Sequence, residues 1–205
     1  MARWEAGADG RLAQAAYELY FERGFDDVTI AEIAERAGLT KRTFFRYFAD
    51  KREVLFLGAA AFQESVVRAV LDAPGDVTAV DAVVAALSAG GTALTTMGDR
   101  ARQRQRLIDT STDLQEREMI KMAGLTVAIG DALQRRGTPP LAARLTAQVG
   151  VAVFTTAFER WAAEEGPVEF PLLVDEALVA LRAAMEPGVG NPTAGASPGA
   201  TAGGT

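Results

Sequence analysis

Two helix-start signals stand either side of a glycine in the stretch Thr29 to Phe48, TIAEIAERAGLTKRTFFRYF, and this pattern constrains the fold more than any other feature of the chain. Thr29 and Glu32 form a capping box: the hydroxyl accepts from a backbone N–H of the first turn while the carboxylate reaches back to the cap. Ile30, Ile33, Ala34 and Ala37 follow at helical spacing and make one narrow apolar face, and Gly38 supplies the backbone freedom that ends the helix. Thr40 is a second N-cap, so the next helix opens at Lys41 and runs about two turns to Tyr47. Phe44 and Phe48 share its inward face, which leaves Lys41, Arg42, Thr43, Phe45, Arg46 and Tyr47 around the rest of the circumference. Two short helices joined by a tight turn containing Gly make the helix-turn-helix pattern, whose second helix enters the major groove of DNA.

Charge agrees with that reading locally and opposes it globally. The whole chain carries a net charge of −6, yet from Arg36 to Arg52 the cations Arg36, Lys41, Arg42, Arg46, Lys51 and Arg52 are opposed only by Asp50. One basic element in an acidic protein is not explained by nonspecific adhesion, whereas phosphate contact explains it. A basic run on a short helix can also be a plain solvated face, but that reading leaves the caps, the glycine turn and the interleaved aromatics coincidental.

Thr29 to Leu55 resembles the DNA-binding region of the TetR family of one-component bacterial regulators, through T-x-x-x-I-A-x-x-A-G-L-T-x-x-T-F-F-R-Y-F-x-x-K-x-x-V-L. The resemblance implies an all-α homodimer with an N-terminal three-helix DNA-binding domain and a larger helical domain for ligand binding and dimerisation. It implies a repressor that binds a palindromic operator in double-stranded DNA. Thr29 and Lys51 would hold the phosphate backbone, Thr40 would cap the reading helix, and phosphate would also be touched near the N-terminus of the first helix, by Arg11 or Arg3. The family usually has Tyr where Phe45 stands, so one phosphate-directed hydroxyl is missing. The segments R-L-I-D-T-S-T-D-L-Q-E-R (106–117) and F-E-R-W (158–161) resemble, more weakly, the actinobacterial branch that includes the mycofactocin-system regulator. That branch implies a small hydrophobic or acyl-CoA-like effector.

Composition narrows the alternatives. There is no Cys and no His, which removes disulfides, thiolate nucleophiles, the commonest general base and the commonest metal ligands, so neither an enzyme nor a metal or other cofactor is expected. No run of about twenty uninterrupted apolar residues predicts a membrane span. MARWEAGADGRL has no apolar signal core, so a cytoplasmic location is expected. A helical protein-interaction module without specific DNA binding is the rival reading; it accounts for the second half of the chain and leaves the basic helix without a purpose.

Further helices are expected from residue 9 to 24, 51 to 71, 77 to 97, 99 to 109, 114 to 136, 141 to 165 and 171 to 185. The second of these is predicted to be a rigid connecting rod, and Gly90-Gly91 to mark a kink or a close approach to ligand. Arg100, Arg102, Arg104 and Arg106 form a solvated face by default, with binding of an anionic headgroup as the sharper alternative. Phe62, Met97, Leu107, Met119, Met122, Phe158 and Trp161 are predicted to line the effector pocket. Leu145, Val149, Ala152, Leu173, Ala177 and Leu181 are predicted to form the dimer face, because two adjacent Ala-rich helices suit a four-helix bundle. The domains are thus expected at residues 1–50 and 51–186, with 187–205, rich in Gly and Pro, as a disordered tail.

Overall fold

The structure, a computed structural model, describes residues 7–186; the tail from Pro187 and Arg3 lie outside them. All regular secondary structure among the described residues is helical. The order is α1 (Ala8–Arg23), α2 (Ile30–Arg36), α3 (Lys41–Tyr47), a 3-10 turn (Glu53–Phe56), α4 (Ala59–Asp72), α5 (Ala79–Thr95), α6 (Asp99–Asp109), α7 (Thr112–Arg135), α8 (Pro140–Ala163) and α9 (Phe170–Met185).

The capping chemistry sets the early boundaries. Thr29 accepts from the Glu32 N–H at 3.3 Å while Glu32 Oε2 accepts from the Thr29 N–H at 2.8 Å, so two orphan donors of α2 are satisfied reciprocally. Gly38 adopts a left-handed φ of 65°, which a side chain would resist, and Thr40 then accepts from the Thr43 N–H at 3.1 Å to open α3. Leu12, Leu19, Tyr20, Ile33, Phe44 and Phe48 close the three-helix unit. Its core extends beyond residue 50: Val54, Leu55 and Phe56 of the 3-10 turn join it, as do Ile108 of α6 and Leu114 of α7. The N-terminal unit is therefore keyed into the larger one by shared apolar packing.

A second core is built around α8, against which α5, α7 and α9 pack. By length and composition α8 could cross a bilayer, as could Glu53–Asp72, but one face of α8 is covered by these neighbours: Phe154, Ala157, Phe158 and Trp161 are buried. Arg136, after α7, closes the end of α4 by donating to the carbonyls of Val70, Leu71, Ala73 and Pro74. Those are the acceptors that a helix C-terminus leaves unmatched.

Two local expectations are corrected. The connecting rod does not begin at Lys51: Asp50 accepts from the backbone N–H of Arg52 and Glu53, which winds a 3-10 turn, and only after Gly58 does α4 proper begin. At 14 residues it spans about 21 Å. Nor does Gly90-Gly91 kink α5, which runs unbroken through both. A Cβ on Gly90 would stand 2.8 Å from the Phe62 ring and one on Gly91 2.1 Å from the Phe170 ring, so the pair admits aromatic side chains of α4 and α9 against the α5 backbone.

Candidate nucleic-acid interface and effector cavity

Helix α3 presents one buried and one open face. Phe44 is fully buried, its ring tilted against that of Phe48 at 5.4 Å between centroids, and anchors the helix on α1 and α2. Lys41, Arg42, Phe45, Arg46 and Tyr47 are exposed and Thr43 is half-buried. Phe45 and Tyr47, at 56% and 44% exposure, are large apolar surfaces left in solvent on a short helix, which is unusual unless something covers them. Arg46 lies over the Tyr47 ring at 4.8 Å and donates to its hydroxyl at 2.9 Å, so the two act as one unit. Thr40 and Thr43 share a hydrogen bond of 3.0 Å between their hydroxyls.

The positive charge is narrower than the composition of the segment suggests. Arg36 is tied to Glu18 and Glu22 of α1 at 3.4 and 2.9 Å, and Arg52 to Asp50 at 2.7 Å. These pairs hold Glu22 and Asp50 below the usual carboxylate range, chiefly through the arginine hydrogen bonds. Lys41, Arg42 and Arg46 have no carboxylate within salt-bridge distance among the described residues and form the free cationic face.

Lys51 is placed differently from the phosphate contact expected of it. Its Nζ donates to the carbonyls of Phe25, Asp26 and Val28 at 2.8, 3.2 and 3.0 Å and sits 4.3 Å above the Phe25 ring. An ammonium has three N–H donors, and all three are directed inward at the loop between α1 and α2. The backbone carbonyl of Lys51 accepts from the buried Tyr20 hydroxyl at 2.7 Å. Burial pushes that phenol's pKa up, so it stays a donor.

A cavity of about 790 Å³ lies between α4, α6, α7 and α8 and reaches Tyr17 on α1. Of the seven predicted pocket residues, Phe62, Met97, Met119, Met122 and Phe158 line it. Leu107 does not: it belongs to the N-terminal core, because the face of α6 that carries Leu107 and Ile108 packs on α1. Trp161 does not either. It is buried beneath the Arg102 guanidinium, 4.3 Å from its ring, and borders a separate, smaller cleft. Tyr17, Phe154, Gln63 and Gln148 also line the cavity beyond the predicted set, since three different helices, α1, α4 and α8, bring them together.

The predicted dimer face divides similarly. Leu145 is exposed, and Ala152 is exposed while also lining the cavity. Leu173 is buried in the core, with Val149, Ala177 and Leu181 packed against it. The spacing of Leu173, Ala177 and Leu181 marks the inner face of α9; the outer face shows Leu172 and Val179, and α8 adds Leu141.

Comparison with known proteins agrees with this arrangement. Residues 12–56 match the family described as bacterial regulatory proteins, tetR family, and residues 77–186 match the MftR C-terminal domain. The Mycobacterium tuberculosis protein named as the mycofactocin biosynthesis transcriptional regulator MftR is 30% identical over 158 residues, covering 75% of this chain and 79% of that one. Among solved structures, SmeT, the repressor of the Stenotrophomonas maltophilia multidrug efflux pump SmeDEF, superposes with a TM-score of 0.60 at 21% identity, over 93% of this chain and 96% of that one. FadR of Bacillus subtilis, solved with stearoyl-CoA, gives 0.59 at 18% identity, over 86% and 98% of the two chains. At those identities the two structures speak to the fold alone. With its helix-turn-helix domain and its MftR-type C-terminal domain, the chain belongs to the TetR family of DNA-binding transcriptional regulators.

Proposed function

We propose that the protein is a cytoplasmic, homodimeric repressor that reads an inverted repeat with α3 and leaves it when a small hydrophobic or acyl-CoA-like molecule occupies the cavity. The observation that carries this reading is the reach of the cavity. One continuous space of about 790 Å³ is lined by apolar side chains of α4, α7 and α8 and by Tyr17 of α1, so an occupant touches the DNA-binding unit itself. That volume lies within the roughly 300–1,000 Å³ of small-molecule sites. SmeT has been solved with triclosan and two FadR proteins with acyl-CoAs, which supports an apolar ligand for the same fold.

On DNA, Lys41, Arg42, Thr43, Phe45, Arg46 and Tyr47 face the major groove or its flanking phosphates, with the Thr29 and Thr40 regions at the backbone. Lys51, whose donors are all engaged, is left out of that set. One two-turn helix reads too few bases to select a site, so a second copy is needed, and the exposed Leu141, Leu145, Leu172 and Val179 of α8 and α9 offer it an apolar face. Switching is a population shift: ligand favours a conformer whose recognition helices no longer match half-sites about 34–36 Å apart or a multiple of that. Fluorescence anisotropy with labelled operator DNA and a chain-length series of acyl-CoA thioesters tests the effector. Release at micromolar thioester, strongest for one range of lengths, is expected; DNA binding unchanged across the series would rule the acyl-CoA reading out.

A further inference from the structure

The wall of the cavity nearest the DNA-binding unit is cationic. Arg100, Arg104 and Lys121 line it, against the carboxylate of Glu118. Glu159 of α8 lines the cavity too, and the balance stays positive. Among the described residues Arg100 has no carboxylate partner; its guanidinium rests 4.5 Å over the Tyr17 ring of α1, and both residues line the cavity. Arg104, one turn along α6, is divided between two duties. Its Nε donates to the carbonyl of Leu55 at 3.0 Å and its Nη1 to Glu118 at 3.3 Å, with the guanidinium 4.9 Å over the Phe56 ring. Leu55 and Phe56 belong to the 3-10 turn, which is buried in the N-terminal core and packs on α1. Glu53 of the same turn is held by Arg117 and Lys121 of α7. Cations from α6 and α7 thus fasten the one segment through which the chain passes from the DNA-binding unit to α4, and two of them, Arg104 and Lys121, face the cavity.

We propose that this wall is an anion site, fitted to a carboxylate or phosphate on an otherwise apolar ligand, and that Arg104 transmits its occupation to the DNA-binding unit. Such a site presupposes the ligand-responsive function proposed above and gives the ligand its chemistry. An oxyanion accepts charge-assisted, bidentate hydrogen bonds from a guanidinium, which are stronger than the bond Arg104 makes to a neutral carbonyl. Arg100, already without a carboxylate, supplies the attraction that brings the anion there. Once Arg104 turns to the ligand, the Leu55 carbonyl is left without its partner inside a buried segment, which is costly, and the 3-10 turn must rearrange to satisfy it. Helix α1 rests on that turn, and α2 and α3 rest on α1. The alternating arginines of α6 are therefore not one solvated face. Arg100 and Arg104, four residues apart, share the cavity side, Arg102 turns to Trp161 and donates to the Gly166 carbonyl, and Arg106 is exposed.

The test compares dodecanoate with dodecanol, which share a chain and differ in charge, on the full-length protein. Calorimetry reads binding and anisotropy of labelled operator DNA reads coupling. Dodecanoate is expected to bind more tightly than dodecanol and to weaken DNA binding about tenfold, within the range usual for coupled sites, while dodecanol changes it little. Arg104→Gln is expected to bind operator as weakly as liganded wild type does and to respond no further to dodecanoate. Arg100→Gln, which removes a side chain held only by a ring contact, keeps the proposal testable if the first variant folds poorly: it should weaken dodecanoate several-fold and leave dodecanol unaffected. Equal binding and equal release by the two compounds, or undiminished coupling in Arg104→Gln, would overturn the anion site and leave the ligand-responsive reading standing. Binding of neither compound would remove both.

Discussion

Replacing Lys51 with Met separates a structural brace from a phosphate contact. Methionine keeps a stem of similar length against Phe25 and removes the ammonium, and with it hydrogen bonds to the carbonyls of Phe25, Asp26 and Val28. A hydrogen bond to a charged group is worth about 1.5–3 kcal/mol. Three bonds from one ammonium are not additive, and the Asp26 carbonyl can be rehydrated, so the bonds to Phe25 and Val28 dominate. A destabilisation of about 3 kcal/mol follows, which in a chain of this size lowers Tm by about 6–12 °C. Thermal melts followed by circular dichroism, at matched protein concentration, read that shift. The slope of log K for DNA against log salt should stay at its wild-type value below the melt. An unchanged Tm with a slope reduced by about one would rule out the brace and return Lys51 to the phosphate backbone.

Three further outcomes can be checked independently. Gly91→Ala places a Cβ 2.1 Å from the Phe170 ring, which is 1% exposed and has nowhere to move, so a loss of about 1–3 kcal/mol in urea melts is expected; adding Phe170→Leu should recover part of it, and no recovery would contradict the contact. Glu32 is held at a pKa of about 2, well below the ordinary 4.5, first by its hydrogen bonds to Thr29 and then by Arg23. Because the folded value is depressed, its contribution is full above pH 4.5 and is lost as pH falls toward 2. Glu32→Gln should therefore flatten the acid limb of a stability profile across that window, and an unchanged limb would count against the capping box as its source. Arg42→Ala should relax discrimination at one base pair of each half-site by about 1–3 kcal/mol, measured by competition with single-site operator variants; an equal loss on every sequence would make Arg42 a phosphate contact instead.

The features legible in the sequence are those written in local chemistry. The caps at Thr29 and Thr40, the turn at Gly38 and the spacing of Phe44 and Phe48 are short-range instructions, and each appears in the structure where its side-chain chemistry places it. The exposed residues of α3 follow from the same periodicity. What escaped depends on partners distant in the chain. The three carbonyls that capture Lys51 lie 23 to 26 residues before it. Leu107 has the apolar character of a pocket residue, but its neighbours are α1 and the 3-10 turn. Gly90 and Gly91 look like a helix weakness until Phe62 and Phe170 are seen against them. Leu173, Ala177 and Leu181 keep helical spacing that identifies a buried face without saying what buries it. The cavity was half legible, because methionine and phenylalanine pointed to it, whereas Tyr17, Arg104 and Gln148 meet there only after α1, α6 and α8 have packed.

The central claim, that two copies of α3 read DNA together, is tested most directly by selecting sequences from random duplex DNA with the full-length protein. Enrichment of an inverted repeat is expected, with half-site centres about 34–36 Å or a multiple of that apart. Recovery of unpaired half-sites, or no enrichment above background, would contradict it.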